Sequence, residues 1–246
     1  LEATNWYFGG NAGISFASGS PVAMYDGEMY TYEGCASISD SQGNLQLYTD
    51  GITVWNRNHD IMLNGTGLKG HSNSTQTALI VPRPGDPDIY YIFTTDWQGD
   101  DKGMNYSVVD MNLDGGLGGI TSTKNINLIP RSTERLTAVA HANGEDIWVL
   151  AQPWEENVFH SYLLSAGGLN TTAVESSVPY GIAPPPNTGN VNVAVGQMKV
   201  SPIGNKLAVA SDVLGIHLFD FNNATGIVSN MTEITSTDRM YGVEFS

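Results

Sequence analysis

One hairpin, repeated along the chain, constrains this fold more than any other feature. It occurs as "SISDSQGNLQLYTD" from Ser37, "IVPRPGDPDIYYIFTTD" from Ile80, "AVAHANGEDIWVLAQ" from Ala138 and "MKVSPIGNKLAVASD" from Met198. Each copy has the apolar end of one strand, a short polar or proline-containing turn with one glycine, and a second strand of alternating apolar residues. The turn glycines are Gly43, Gly85, Gly144 and Gly204, spaced 42, 59 and 60 residues apart. A tight turn here needs positive φ, which glycine adopts at no steric cost. A third apolar run follows each hairpin: "GITVWN" (51–56), "NYSVVDMN" (105–112), "VFHSYLLS" (158–165) and "GIHLFDFN" (215–222). Weaker fourth segments such as "NINLIP" and "MTEITS" come next.

Short turn-linked strands at this period indicate a radial array of small sheets. A sheet apolar on both faces cannot bury them alone, so stacking against its neighbours must supply the burial. Helical periodicity over ten residues is absent. The 28 glycines, with abundant Asn, Ser and Thr, also disfavour helix interiors. The expected fold is all-β, a β-propeller of WD40-like four-stranded blades in a single domain, 1–246. The blades are expected at 14–62, 74–129, 133–178 and 190–235, with a fifth starting at "MYGVEFS" (240–246). Residues 65–76 and the proline-rich 179–190 are expected as exposed connecting loops, because consecutive prolines exclude helix and central strand. Stopping within a repeat suggests a truncated ring of about seven blades in all, by analogy with larger propellers.

Ten Lys and Arg stand against 25 Asp and Glu, a formal charge of −15. A phosphate backbone needs a basic footprint, so this balance argues against nucleic-acid binding, and against anionic lipid surfaces for the same reason. No apolar run approaches the ~20 residues of a membrane helix. The start, "LEATNWYFGG", lacks a basic-then-apolar leader pattern, so a secreted form would already have lost its leader. Cys35 is the single cysteine. It allows neither an intrachain disulfide nor a cysteine zinc site, and is expected to be a buried small hydrophobe.

Several stretches of the N-terminal half carry a resemblance. They are "NWYFGGNAGISF" (5–16), "EGCASISDSQGNLQLYTDGITVWNRNH" (33–59), "IMLNGTGL" (61–68), "STQ" (74–76), "VPRPGDPDIYYIFTTD" (81–96) and "YSVVDMNLDGGLG" (106–118). Together they resemble the propeller regions of large secreted or cell-surface proteins of Bacteroidota, associated with gliding motility and type IX secretion. Beyond residue 130 the similarity is of the generic blade type. The resemblance implies a propeller at the start of a modular protein, with a role in surface binding or adhesion and no catalytic residues to transfer.

Two loops offer carboxylates at ion-binding density. Asp110, Asn112 and Asp114 precede Gly115 at EF-hand spacing, but Thr121 stands where a bidentate acid is required, and the preceding "NYSVV" reads as strand. A turn whose Asp and Asn bond local backbone is the expectation there. "DWQGDDKG" (96–103) holds three acids, and the expectation is again a solvated loop, with a chelator leaving the melting temperature unchanged. The sequence thus nominates no metal ligand and no cofactor.

Asp40 and Gly43 invite comparison with the Asp-box of sialidase-like propellers. Their spacing is one residue too long and no Trp follows in place, while Arg57, Arg83, Arg131, Arg135 and Arg239 form no cluster pattern. Glu134, Glu145, Asp146, Glu155 and Glu156 could supply paired carboxylates for glycoside hydrolysis. Adjacent acids at blade turns are more ordinarily solvated tips. The histidines (His59, His71, His141, His160, His217) never fall at metal-binding spacing, and packing or local bonding is expected of His160 and His217. Trp97, Trp154 and Tyr180 fall in expected loops, where aromatic rings either stack on sugars and anchor protein contacts or lid the end of a blade.

The expected function is therefore a non-catalytic binding, adhesion or assembly module, secreted or displayed at the cell surface in association with the outer membrane. Its expected partners are a surface glycan or polymer, or another cell-surface protein, with the type IX machinery met during export. No nucleic acid and no membrane span are expected. The alternative is a propeller enzyme, a lyase or glycosidase, recognisable by convergent acids and histidines on the channel face. A purely structural spacer would instead show an extensive apolar loop surface and no pocket.

Overall fold

A computed structural model describes residues 1–179, 190–235 and 239–246. It is all-β, built from antiparallel meanders that follow one another in chain order, the arrangement of a β-propeller. A three-stranded sheet comes first: β1 (Asn5–Phe8), β2 (Ala12–Ser15) and β3 (Val22–Met24). The next meander is β4 (Ala36–Ser39), β5 (Leu45–Thr49), β6 (Thr53–Asn56) and β7 (Ile61–Thr66). The second comprises β8 (Ala78–Arg83), β9 (Asp86–Thr95) and β10 (Met104–Asp110), with an outer edge split into β11 (Gly119–Ile120) and β12 (Ile126–Ile129); a short parallel pairing of Gly119 with Leu63 joins it to β7 of the first meander. The third repeats that plan with β13 (Ser132–Ala140), β14 (Ile147–Pro153), β15 (Val158–Ser165), β16 (Gly168–Leu169) and β17 (Val174–Ser177). The fourth is β18 (Met198–Val200), β19 (Lys206–Ser211), β20 (Gly215–Asn222) and β21 (Ile227–Thr235).

The strands expected from the repeats are present, with two differences of placement. The expected first blade, 14–62, is divided: residues 5–24 pair among themselves, and the four-stranded meander runs from Ala36 to Thr66. The Gly9–Gly10 turn closes β1 onto β2, so these strands complete their ladder locally. Residues 240–246 carry no strand. The Met240 N–H bonds the Ser211 carbonyl and the Val243 N–H bonds Gln197 Oε1, which leaves this segment outside any ladder. Of the expected loop 179–190, residues 180–189 lie outside the described residues, and Tyr180 with them.

Each sheet is held by its neighbours. Strand side chains alternate between faces, and adjacent residues of one strand enter different cores. Tyr48 packs with Tyr7, Met29 and Trp55, while Leu47 packs with Val54, Met62 and Ile92. Ile92 belongs to that second core, whereas Phe93 joins Met104, Leu136, Val149 and Leu164 in the next. Leu150, beside Val149, joins Phe159, Leu207, Phe219 and Val228 in a further one. Fully burying such a side chain stabilises by about 1.5–3 kcal/mol, and no sheet could do so without the next. The first strands β4, β8, β13 and β18 contact one another in sequence, which places them on the inner side of the array.

Candidate functional site

In an antiparallel meander the first-to-second turns gather at one end, and the second-to-third loops gather at the other with the connections between sheets. The four turn glycines occupy the first end, all at positive φ from 71° to 92°. That end is stitched between sheets: Arg83 donates to the Ala166 carbonyl, and the Trp148 indole N–H donates to the Asn223 carbonyl at 2.8 Å. The opposite end carries loops 67–77, 96–103, 130–131, 153–157 and 190–197, and it is the candidate site.

Its organiser is Glu134 on β13, fully buried. Oε2 accepts the Thr75 N–H at 2.7 Å and the Thr75 hydroxyl at 2.6 Å, and Oε1 accepts the Gln98 N–H at 2.9 Å. Burial pushes this carboxyl above its ordinary range, against the opposing pull of those three bonds. One residue on, Arg135 turns to the other face, also fully buried. It donates to the carbonyls of Val193 (2.9 Å), Val195 (3.4 Å) and Ala210 (3.5 Å), and to Gln152 Oε1 (3.1 Å). Desolvation lowers its pKa to about 10. Gln76 completes the junction: its Oε1 accepts the Leu136 and Met198 N–H groups and so bridges β13 to β18.

With the loops fixed in this way, the His71 and Trp97 rings stack with centroids 4.8 Å apart and planes 14° from parallel. Arg131 is pinned by its Nε to the Gly99 carbonyl at 2.7 Å. It borders two clefts, one of about 230 Å³ with Trp97, Gln98, Asp100 and Val191, the other of about 300 Å³ with Trp154, Glu155, Glu156 and His160. Trp154 is buried beneath this surface. Gly99, at positive φ, lies so close that a Cβ there would come within 2.4 Å of the indole. Trp154 is therefore a packed lid on the blade end beneath the 300 Å³ cleft, whereas half-buried Trp97 keeps an exposed face on the 230 Å³ one.

The remaining candidates fall elsewhere. Asp110 Oδ1 accepts the N–H and side-chain amide of Asn112, closing a local turn before a 3-10 turn at Asp114–Gly116. Asp40 likewise caps its own hairpin through the N–H groups of Gln42 and Asn44. Glu145 and Asp146 lie at the stitched end and are bound by Asn143. His217 is buried, and desolvation lowers its pKa; His160 is shifted the same way and bonds the Tyr162 hydroxyl. Cys35, expected to be buried, is only half-buried at the edge of the Tyr7–Tyr48 cluster; desolvation there still pushes its thiol up to about 11. A further cleft, about 540 Å³, lies on the inner side between β1, β4, β8 and Lys199. Apolar and aromatic residues such as Trp6, Phe8, Ile38 and Ile80 dominate its lining.

Among the described residues no helix is long and apolar enough to cross a membrane. No family profile matches this sequence, and no characterised protein matches it. Solved structures do show a likeness. A protein of unknown function from Desulfotomaculum acetoxidans is 16% identical, with a TM-score of 0.44 over 93% of this chain and 66% of that one. A protein provisionally assigned as a 6-phosphogluconolactonase, from Bacteroides uniformis, is 13% identical with a TM-score of 0.45 over 90% and 64%. AztD of Citrobacter koseri is 9% identical with a TM-score of 0.45 over 98% and 57%. The chain thus spans about two thirds or less of the length of these structures. At such identities and scores the likeness transfers no activity.

Proposed function

We propose that this protein is a non-catalytic binding module whose recognition surface is the loop end around Trp97 and Arg131, and whose ligand is a surface glycan. One observation carries the reading: an aromatic pair, His71 and Trp97, stands beside an arginine held in place through its Nε, at the junction of three sheets. A sugar ring can stack on an indole. Gln98 and Arg131 supply amide and guanidinium partners for its hydroxyls. The inner cleft supports the non-catalytic reading, because acids and histidines do not converge on its lining. The resemblance of residues 5–118 to Bacteroidota surface proteins supports secretion or display at the outer membrane, by the type IX route, and a ring with further blades.

A glycan array probed with the protein and with Trp97→Ala tests this. Binding to a restricted set of glycans, weakened at least tenfold by the substitution, is expected. Binding indifferent to Trp97, or turnover of a bound glycan to a shortened or unsaturated product, would overturn the reading.

A further inference from the structure

The 96–103 loop contains a grouping that its sequence alone did not single out from solvated acids. Carboxylate oxygens of Asp96, Asp100 and Asp101 all lie within 4.8 Å of one another. Asp100 and Asp101 are exposed, but Asp96 is only 1% exposed. Its Oδ2 accepts the Lys102 N–H at 3.2 Å. Its Oδ1 is shut off from solvent and receives no hydrogen bond at all. The nearest cation, Lys102 Nζ, stands 3.6 Å from that oxygen, beyond hydrogen-bond reach, on a side chain 44% exposed. A buried carboxylate oxygen without a donor is costly. Three like charges within 5 Å add repulsion that one flexible ammonium only partly offsets.

We propose that Asp96, Asp100 and Asp101 form a calcium site, with Lys102 as a tethered counter-ion that leaves when the metal binds. The donor set is oxygen only, which selects a hard cation over zinc or copper. Calcium–oxygen distances of about 2.3–2.6 Å give a coordination sphere about 5 Å across, wide enough to take all three carboxylates as they stand. The smaller, more rigid magnesium shell, with distances of about 2.0–2.1 Å, would require the loop to contract. Oδ1 of Asp96 gains its missing partner from the ion, and the freed ammonium moves into water.

The test uses the whole chain, freed of metal with a chelator. Terbium stands in for calcium, and its emission is excited through the tryptophans, Trp97 being adjacent in sequence to Asp96. Saturable emission at one ion per chain, displaced by calcium, is expected, as is a direct calcium isotherm by calorimetry. Asp100→Asn with Asp101→Asn should weaken calcium at least tenfold, with the ion-free melting temperature held or raised as the repulsion is relieved. Lys102→Met should tighten calcium several-fold, whereas Lys206→Met, which removes the same charge at the stitched end, should leave the affinity unchanged; diffuse attraction to a chain of charge −15 would respond equally to both. A flat calorimetric titration at millimolar calcium would overturn the site. So would terbium emission or calcium affinity unmoved by the paired Asn substitutions, or an affinity unchanged or weakened by Lys102→Met.

Discussion

The backbone N–H and the hydroxyl of Thr75 both end on one oxygen of Glu134, at 2.7 and 2.6 Å. Thr75 precedes β8 and Glu134 lies on β13, so the bond ties one sheet's entry loop to the next sheet's inner strand. The pH dependence follows from its burial. The folded carboxyl titrates above its unfolded value of about 4.3, so the folded state holds the proton more tightly. The stability contributed by this group is complete below the unfolded value and is lost as pH rises through the raised folded one. The wild type should therefore gain stability relative to Glu134→Gln as pH falls from 7 toward 5. Paired denaturant titrations at the two pH values read the difference, and an invariant difference would contradict the assignment.

Arg135 should dominate the stability of the same strand. Arg135→Met leaves the carbonyls of Val193 and Ala210 without their guanidinium donor in a buried space. A loss of about 3 kcal/mol is expected, since unsatisfied buried acceptors and imperfect filling add. Urea unfolding measures it, and a loss under about 1 kcal/mol would show that the site relaxes.

The two loop tryptophans should separate cleanly. Trp154→Ala empties a packed position under Gly99 and against Val193, and should cost about 3–5 kcal/mol. Trp97→Ala should leave the melting temperature within a few degrees while weakening ligand binding. Differential scanning fluorimetry on both variants decides the point.

Two glycines at positive φ should also differ. At Gly144 a Cβ would meet open space, so Gly144→Ala should cost about 1 kcal/mol for the left-handed backbone alone. At Gly103 a Cβ would fall 2.0 Å from the Ile129 carbonyl oxygen. Gly103→Ala should cost at least twice as much, and chemical denaturation of the pair would show equal losses if that close approach can open freely.

Much of this architecture could be read from the hairpins, because a turn glycine flanked by alternating apolar residues is a local signal. Gly43, Gly85, Gly144 and Gly204 all adopt the backbone their turns require. The separate sheet at 5–24 was harder to read, since "NWYF" and "AGIS" alternate like any blade strand, and only their pairing with each other sets them apart. The candidate site was largely hidden. His71 and Trp97 stand 26 residues apart in the sequence, and what brings them together is a carboxylate on a third segment. Glu134 stood in the sequence only as one of five acids open to pairing for glycoside hydrolysis. Its burial comes from the inner-strand position of β13, which spacing does not reveal. Gln76 is similar: an amide at the end of a polar loop gives no hint that it bridges two inner strands.

Leu47 and Tyr48, neighbours in the chain, belong to different interfaces, and so do Ile92 with Phe93 and Val149 with Leu150. Each second strand therefore works like the shared wall of two adjoining rooms. Damage on one side of it shifts the surface that the other side leans on, so a core substitution in one sheet is felt two sheets away, weakened at each step. Unfolding should therefore advance sheet by sheet across these shared walls, and the amide protons of the second strands, Leu47–Tyr48, Ile92–Phe93 and Val149–Leu150, should be among the last to exchange.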